Sequence, residues 1–140
     1  MRRLSWRERR LLAAAAVWLP ATAVLLRAVG LARCEAILAH LFKLRRPPYE
    51  AERLEPARVT ARLVRIAAER GLYRATCLPQ SLVLWSLLRR TGTETTLHVG
   101  VRKSADRVEA HAWVECDGVA LNDDADVNER FAAFDRAVAR

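Results

Sequence analysis

The sequence contains few cysteines, namely Cys34, Cys77 and Cys116, and no two of them form a CxxC pair. An odd number of widely spaced cysteines argues against a disulfide framework of the kind that stabilises small secreted domains. The closely spaced ligand pairs that are typical of zinc sites are also missing. The sequence therefore predicts a cytoplasmic protein with no metal site and no cofactor.

Motifs for binding nucleotides are missing as well. The sequence has no GxGxxG or Walker pattern, no internal repeat and no low-complexity tract. Its 140 residues, of which 52% are hydrophobic, suffice for one domain with a real core. We expect one compact domain, in which a helical N-terminal region, residues 1–46, packs on a core formed by residues 47–140.

The longest uncharged stretch, residues 11–26, is short for a membrane-spanning helix. Such a helix needs about 20 apolar residues, whereas this stretch is interrupted by Pro20 and followed by amphipathic sequence with Arg27 and Arg33. We therefore expect a buried helix rich in Ala and Leu, with neither a cleaved signal peptide nor stable membrane insertion.

Basic residues outnumber acidic ones, 24 against 16, and give a formal net charge of +8. Most of the excess is Arg, whose planar guanidinium suits carboxylates and phosphates. This balance favours an acidic partner. An alternative interpretation is a non-enzymatic basic module that binds nucleic acid or an anionic membrane through its N-terminal arginines.

Three regions have the spacing of helices. Residues 1–46 are rich in Leu, Ala and Arg and predict one or two helices. Another helix is predicted between Pro56, which suits a first turn, and Gly71, which suits a C-terminal end. Cys77 to Arg90 is apolar on nearly every side, which is typical of a central helix. The core-facing side of the Pro56 helix is predicted to be formed by Val59, Leu63, Ile66 and Ala67.

After Gly92 the apolar period changes to two, which is typical of strands. Residues 97–101 and 108–115 alternate on either side of a polar turn at residues 103–107, and a turn at 117–118 leads into a third strand, Val119 to Asp123. A last helical stripe is predicted from Val127, Phe131, Phe134 and Val138. Helices followed by a three-stranded antiparallel meander indicate an α+β fold, with the buried helix packed on a small sheet.

The chemistry is predicted to centre on Cys77, at the start of the central helix. A helix N-terminus supplies partial positive charge and free N–H groups, which favour a nucleophilic thiolate. A helix packed across an antiparallel sheet brings its first residue close to a strand residue, and His111 lies in the middle of the second strand. We therefore predict a thiol–imidazole pair of the papain-like type.

A third group must hold the imidazole, and Asp123 and Asp124 are the candidates. The register decides between them. A two-residue turn at 117–118 sets His111 opposite Asp124, whereas a three-residue loop at 116–118 with a glycine bulge sets it opposite Asp123. The residues alone leave both open.

Four stretches together resemble a known family. They are residues 77–84 (CLPQSLVL), 97–102 (LHVGVR), 111–115 (HAWVE) and 121–123 (LND). In this order and spacing, they are similar to the transglutaminase-like leader peptidases of lasso-peptide biosynthesis. The resemblance implies a transglutaminase-like or papain-like core with a Cys-His-Asp triad, whose motif positions match Cys77, His111 and Asp123. It therefore selects Asp123 over Asp124.

The resemblance also implies a substrate and partners. The peptidase removes the leader from a ribosomally made precursor peptide and frees the first amine of the core peptide for a separate ATP-dependent macrolactam cyclase. We expect a stand-alone peptidase that receives its precursor from a small leader-recognition protein. No nucleic-acid partner is expected. A rival chemistry with the same triad is an amidase or acyltransferase, in which an amine replaces water as the acceptor.

Three neighbours of the predicted pair have lesser roles. Trp113 matches the His-Ala-Trp motif of the family and is predicted to shield the thiol and the imidazole from water. Glu115, on the same strand face, is a candidate for binding a basic substrate group, with a solvated strand residue as the alternative. Ser81 is predicted to be a buried hydroxyl bonded to the backbone rather than a catalyst.

Several arginines are predicted to meet an acidic leader or an acidic face of the recognition protein. Such contacts steer association more than they fix the final affinity, so the association rate should depend on salt. These residues are Arg2, Arg3, Arg7, Arg9, Arg10, Arg45 and Arg46.

Overall fold

The structure is a computed structural model that describes residues 3–43, 53–71 and 74–133. Within these ranges, helices come first and the sheet follows, so the predicted α+β class is confirmed. The helices are α1 (Trp6–Val29), α2 (Leu31–Leu41), α3 (Leu54–Arg70), α4 (Cys77–Arg90) and α5 (Val127–Arg130), and the strands are β1 (Thr96–Ser104), β2 (Arg107–Cys116), β3 (Val119–Ala120) and β4 (Ala132–Ala133).

The N-terminal region forms two helices. A capping box starts α1: the Ser5 hydroxyl accepts from the Glu8 N–H at 3.3 Å, and the Ser5 N–H donates to the Glu8 carboxylate at 2.7 Å. The helix continues through Pro20, so this proline interrupts the apolar stretch of the sequence without ending the helix. A proline removes only one backbone hydrogen bond, and the packed residues on either side keep the helix intact. Gly30, with φ of 81°, separates α1 from α2.

The prediction that α1 is buried is wrong for its outer side. Leu19 is buried against the core, but Val17 and Val24 are 66% and 68% exposed. A helix at the edge of a bundle can bury only the face that contacts its neighbours, which here are α2, α3 and α4. By length and composition α1 could cross a membrane, although the core helix of a soluble protein or a signal sequence meets the same criterion, and 22% of its most apolar window is buried.

The face that α3 buries also differs from the prediction. Leu63 and Ala67 are buried, whereas Val59 and Ile66 are only half-buried. Small side chains form most of the buried face, which lets α3 pack closely on α1 and α4. The buried residues of α3 are Ala57, Thr60, Ala61, Leu63, Val64, Ala67 and Ala68.

The central helix is confirmed. α4 runs over Cys77–Arg90 and contacts α1, α2, α3, β1 and β2. Each of its residues from 81 to 88 is buried, so it forms the middle of the core. A helix in this position holds its first residue, Cys77, at a defined place relative to the sheet.

The sheet has the strand order β3-β2-β1-β4, and its pairs are antiparallel. It has one strand more than the predicted meander, because β4 pairs with β1 through Gly100 and Val101. The β1–β2 turn is also tighter than the predicted 103–107, since Ser104 already pairs with Arg107.

The β2–β3 turn consists of two residues. Cys116 pairs with Val119, and Asp117 and Gly118 have φ of 50° and 76°. Positive φ at both positions fits a type I′ turn, which glycine adopts without steric cost. β3 ends at Ala120 rather than at the predicted Asp123.

The last predicted helix is only one turn long. α5 ends at Arg130, and Phe131 already has extended backbone angles of −123° and 132° before β4 begins. Phe134 and Val138, which were assigned to the same stripe, lie outside the described residues. Phe131 and Val127 instead pack with Trp113 in a small cluster separate from the main core.

The two sides of β2 therefore face different surroundings. Val114 and Cys116 join the main core around α4, together with Leu97 of β1. Trp113 alternates with them and belongs to the cluster with Phe131. His111, two residues before Trp113, shares the Trp113 side.

Candidate active site

A histidine–aspartate pair forms the centre of the site. His111 Nε2 is hydrogen-bonded to Asp123 Oδ2. The side chains of His111 and Asp123 are 23% and 12% exposed. The pair is thus partly withdrawn from water, and one side of the imidazole ring is held by protein.

The Asp123 carboxylate has two more partners. Its Oδ1 atom accepts from Arg130 Nη2 and from the Asp124 backbone N–H, the latter at 2.7 Å. Burial alone would raise the pKa of Asp123, but the hydrogen bonds from His111 and Asp124, with the charge of His111 and the bond from Arg130, lower it overall. Asp123 therefore stays ionised and accepts from Nε2 of the ring.

Asp123 reaches His111 in a different way from the one that strand register predicted. The turn has two residues, the case in which a continued ladder sets Asp124 opposite His111. The ladder does not continue: after Leu121, whose N–H donates to the Val114 carbonyl at 2.9 Å, the Val114 N–H bonds to the side chain of Asn122 at 2.8 Å. A side-chain oxygen has replaced a backbone carbonyl, and the chain that leaves the sheet presents Asp123 to the ring.

Asn122 also connects the sheet to α4. Its Nδ2 atom donates to Ser81 Oγ at 2.9 Å, and Ser81 Oγ donates to the Ala112 carbonyl at 2.9 Å. The prediction that Ser81 is a buried hydroxyl bonded to the backbone is confirmed. These bonds anchor α4, one turn after Cys77, to the residue that follows His111.

A cleft of about 380 Å³ adjoins Asp123. Gln80 of the first turn of α4 lines it, and the Gln80 side-chain amide donates to the Ala75 carbonyl at 2.7 Å. The first turn of α4 and the acid of the histidine pair thus border the same space. The cleft is lined by Arg58, Ala61, Arg62, Arg65, Gln80, Leu121, Asn122, Asp123 and Asp124.

Cys77 is the most accessible of the three cysteines. It is half-buried, whereas Cys34 and Cys116 are buried, and burial raises the pKa of both of these thiols, with further raising by Glu35 and Asp117 respectively. Among the residues that the structure describes, Thr76 makes no side-chain cap on the N–H groups at the start of α4. Cys77 therefore has the accessibility and the helix position that a nucleophile needs.

Within the described residues, no hydrogen bond joins Cys77 Sγ to His111. The structure brings their supporting elements together through Ser81, Ala112 and the shared cleft. Direct contact of the sulfur with the imidazole stays a prediction, as does the catalytic role of both residues.

Aromatic rings surround the imidazole. His111 stacks on Phe131 with ring centroids 4.9 Å apart and on Trp113 with centroids 6.2 Å apart. Trp113 is fully buried, and His98 stacks on it at 5.4 Å. These contacts restrict rotation of the His111 ring, and the shielding role predicted for Trp113 stays a prediction.

Glu115 is occupied by partners within the protein. It accepts from Trp113 Nε1 at 3.0 Å and from Asn128 Nδ2 at 2.6 Å, and it lies 3.2 Å from His98 Nε2. Burial alone would raise the pKa of Glu115, but the bonds from Asn128 and Trp113 and the charge of His98 lower it overall. The structure thus gives Glu115 the role of holding Trp113 and His98, and its substrate-binding role stays a prediction.

Sequence reasoning missed several residues of this site. Asn122 and His98 lie inside the stretches that carried the resemblance, so a signal was present but no role was assigned to them. Arg130 and Phe131 had no such signal, because they meet His111 and Asp123 only through the path of the chain after β3. Within the described parts of the chain, no group of three or more His, Cys, Asp or Glu is arranged to hold a metal ion.

Comparison with known proteins gives one match. The model of a family described as the transglutaminase-like superfamily matches residues 16–135. No curated protein matches the chain, and no solved structure does. The matched region includes Cys77, His111 and Asp123 and all the strands of the sheet.

Proposed function

The chain belongs to the transglutaminase-like superfamily, and on that premise we propose that it is a cysteine peptidase with Cys77 as the nucleophile. The superfamily includes cysteine peptidases and acyltransferases. In this proposal His111 is the general base and Asp123 orients it. The observation that carries the proposal is the His111–Asp123 pair at a cleft shared with the first turn of α4.

The hydrogen bonds assign the two ring nitrogens of His111. Asp123 is an acceptor, so Nε2 carries a proton, and Nδ1 is the nitrogen left to accept a proton from the thiol. An ionised Asp123 stabilises the imidazolium that forms when His111 takes that proton. The lowered pKa of Asp123 keeps it in this state at neutral pH.

The reaction proceeds in two acyl-transfer steps. The Cys77 thiolate attacks the carbonyl of the last leader residue, and His111 donates its proton to the departing amine of the core peptide. Water then attacks the thioester while His111 accepts its proton, which returns to the thiol when the acid product leaves. The Cys77 backbone N–H, which lies in the first turn of α4, is the first donor for the oxyanion.

The proposed substrate is the leader of a lasso-peptide precursor. The stretches HAWVE at 111–115 and LND at 121–123 support it by their similarity to the leader peptidases of that pathway. In this setting the protein acts in the cytoplasm, receives the precursor from a small leader-recognition protein and passes the core peptide to an ATP-dependent macrolactam cyclase.

The test is cleavage of a precursor by the purified chain, with and without a recognition protein. Mass spectrometry should find a free leader acid and a core peptide with a free first amine, and Cys77→Ala should remove both products. Undiminished cleavage by Cys77→Ala would exclude the peptidase chemistry, and the basic-module alternative predicts that this variant behaves as wild type. Adding a primary amine identifies the acyltransferase alternative, since the leader would then end in an amide that is heavier than the leader acid by the mass of the amine minus one water.

A further inference from the structure

Three arginines line one wall of the cleft beside Asp123. Arg58, Arg62 and Arg65 lie four and three residues apart on α3, so their side chains share one face of the helix. The facing wall is formed by residues 121–124, and Gln80 contributes from the first turn of α4. The arginines therefore line the same space as the acid of the proposed triad.

The three guanidinium groups differ in how they are occupied. Arg58 pairs with Glu55 at 3.2 Å and Arg62 with Glu8 at 3.7 Å, and both arginine side chains are about half exposed. The exposed Arg58–Glu55 pair contributes little and exchanges readily, and the Arg62–Glu8 distance of 3.7 Å is long for an ion pair. Arg65 makes no hydrogen bond or ion pair with any residue that the structure describes. One guanidinium is thus available, and two others can change partners.

The opposite wall carries two carboxylates that are not equivalent. Asp123 is already compensated by His111 and Arg130. Asp124 is exposed, and its side chain has no partner among the described residues. A carboxylate that enters the cleft is consequently attracted to the α3 wall and repelled from Asp124, which gives it one preferred orientation.

We propose that this cleft is a specificity site that binds an acidic side chain of the peptide substrate through Arg65 and Arg62. The guanidinium fork matches a carboxylate in a bidentate geometry, and about 380 Å³ lies within the range of sites for small ligands. The proposal rests on the proposed function, because it takes the occupant to be the peptide that Cys77 attacks.

The position of the cleft restricts which residue of the peptide it binds. Gln80 is three residues from Cys77 on the first turn of α4, and Asp123 holds His111. A substrate side chain that lies between the arginines of α3 and the residues Gln80 and Asp123 therefore belongs to a peptide position within a few residues of the scissile bond. The inference therefore concerns cleavage-site preference and is separate from recognition of a distant part of the leader.

The experiment measures binding without cleavage. Full-length Cys77→Ala is titrated into fluorescent precursor peptides that carry either Glu and Asp or Gln and Asn near the cleavage site, and anisotropy gives the two Kd values. We expect the acidic peptide to bind about tenfold more tightly, which corresponds to about 1.4 kcal/mol. Adding Arg65→Gln should remove most of this preference, and adding Arg62→Gln as well should remove the rest.

Arg27→Gln is the matched control, because Arg27 is an exposed arginine on α1 that does not line the cleft. It should leave the preference for the acidic peptide unchanged. Equal binding of the two peptides, no binding of either, or a preference that survives the double arginine change would each overturn the proposal.

The two proposals fail in different ways. Cleavage that requires Cys77 but ignores acidic residues leaves the peptidase and removes the specificity site. Binding that depends on Arg65, together with precursor cleavage that does not require Cys77, removes the peptidase and leaves a site for acidic peptides.

Discussion

Two histidine–carboxylate pairs lie on the same side of the sheet, one on each side of Trp113. His111 pairs with Asp123, and His98 pairs with Glu115. The histidines are 23% and 20% exposed and the carboxylates 12% and 14%, so burial does not distinguish the pairs. Each carboxylate also has a pKa below its ordinary value, since hydrogen bonds and the charge of its histidine outweigh the effect of burial.

The surroundings of the two pairs do distinguish them. Glu115 also holds Trp113 and Asn128, so its partners lie within the sheet and α5. Asp123 lines the cleft that Gln80 of α4 also borders. Only the His111 pair therefore has a carboxylate beside a cleft that the first turn of α4 also borders, which is why the proposed function uses His111 rather than His98.

The largest expected difference between the pairs is in catalysis by the histidines. His111→Ala should lower kcat/KM for precursor cleavage by about a thousandfold or more, because the general base is lost. His98→Ala should stay within about tenfold of wild type, since it removes only a stacking and ion-pair partner of Trp113 and Glu115. A greater loss of activity in a folded His98→Ala would reverse the assignment.

The same contrast in activity, with smaller losses, is expected when the two carboxylates are changed. Asp123→Asn should reduce kcat by about 10²- to 10⁴-fold while the fold stays intact, because an amide favours the wrong tautomer of His111. Glu115→Gln, an equally conservative change in the other pair, serves as the control and should cost less than about tenfold. Equal losses of kcat in Asp123→Asn and Glu115→Gln would mean that the two pairs do not differ in catalysis. A greater loss in Asp124→Asn than in Asp123→Asn would show that Asp124 is the residue that orients His111.

Both histidines stack on Trp113, so the position of each depends on this ring. Adding one methyl group at Gly100, which faces the ring, tests that dependence. A Cβ atom at Gly100 would lie 2.9 Å from two atoms of the Trp113 ring and 3.0 Å from the Ala132 carbonyl. Gly100→Ala should therefore lower the free energy of unfolding by about 1–3 kcal/mol, because the buried ring must shift. Urea denaturation measures this change.

Gly118→Asn is a suitable comparison for that experiment. Gly118 has φ of 76° and open space around the position of a Cβ atom, and asparagine tolerates the left-handed conformation. Its effect on unfolding should be smaller than that of Gly100→Ala. If the two variants have equal stability, the contact between Gly100 and Trp113 does not restrain the pairs.

Acid should weaken both pairs in the same direction. A carboxylate whose pKa is lower in the folded than in the unfolded protein contributes stability above its unfolded pKa, and this contribution is lost as the pH falls through the folded value. The free energy of unfolding should therefore decrease on acidification below about pH 4. Asp123→Asn and Glu115→Gln should each make this decrease shallower in urea titrations at a series of pH values. An unchanged slope in either variant would show that its carboxylate has an ordinary pKa.

The smallest effect is expected far from both pairs, at the exposed N-terminal arginines Arg3, Arg7, Arg9 and Arg10. Stopped-flow association with the precursor or the recognition protein should slow as salt rises, and changing two or three of these residues to Gln should weaken that dependence. The rate of precursor cleavage at saturating substrate should be unaffected. A salt response identical to wild type would leave these arginines as solvated charge. Arg2, Arg45 and Arg46, which were predicted to act with them, lie outside the described residues.

Patterns within short stretches predicted much of the fold. α4 begins at Cys77 and ends at Arg90 as predicted, because its apolar run is long enough to fix a buried helix. Alternation in β2 correctly put His111, Trp113 and Glu115 on one face, since the side-chain period of a strand is two. Exposure was harder to predict: the outer face of α1 is apolar and yet exposed, because periodicity does not reveal how many neighbours a helix has.

What the sequence by itself determined is the helix that begins at Cys77 and the strand face that carries His111, because both follow from patterns among residues close in the chain. The residues alone left the carboxylate that holds His111 open between Asp123 and Asp124; the family resemblance selected Asp123, and the tertiary structure bonds Asp123 to the ring. That bond depends on the Asn122 side chain, which bonds to Val114 in place of a strand carbonyl and to Ser81, 41 residues away, on α4. The cleft beside Asp123 has the same origin, since α3, the start of α4 and residues 121–124 border it only after the chain has packed.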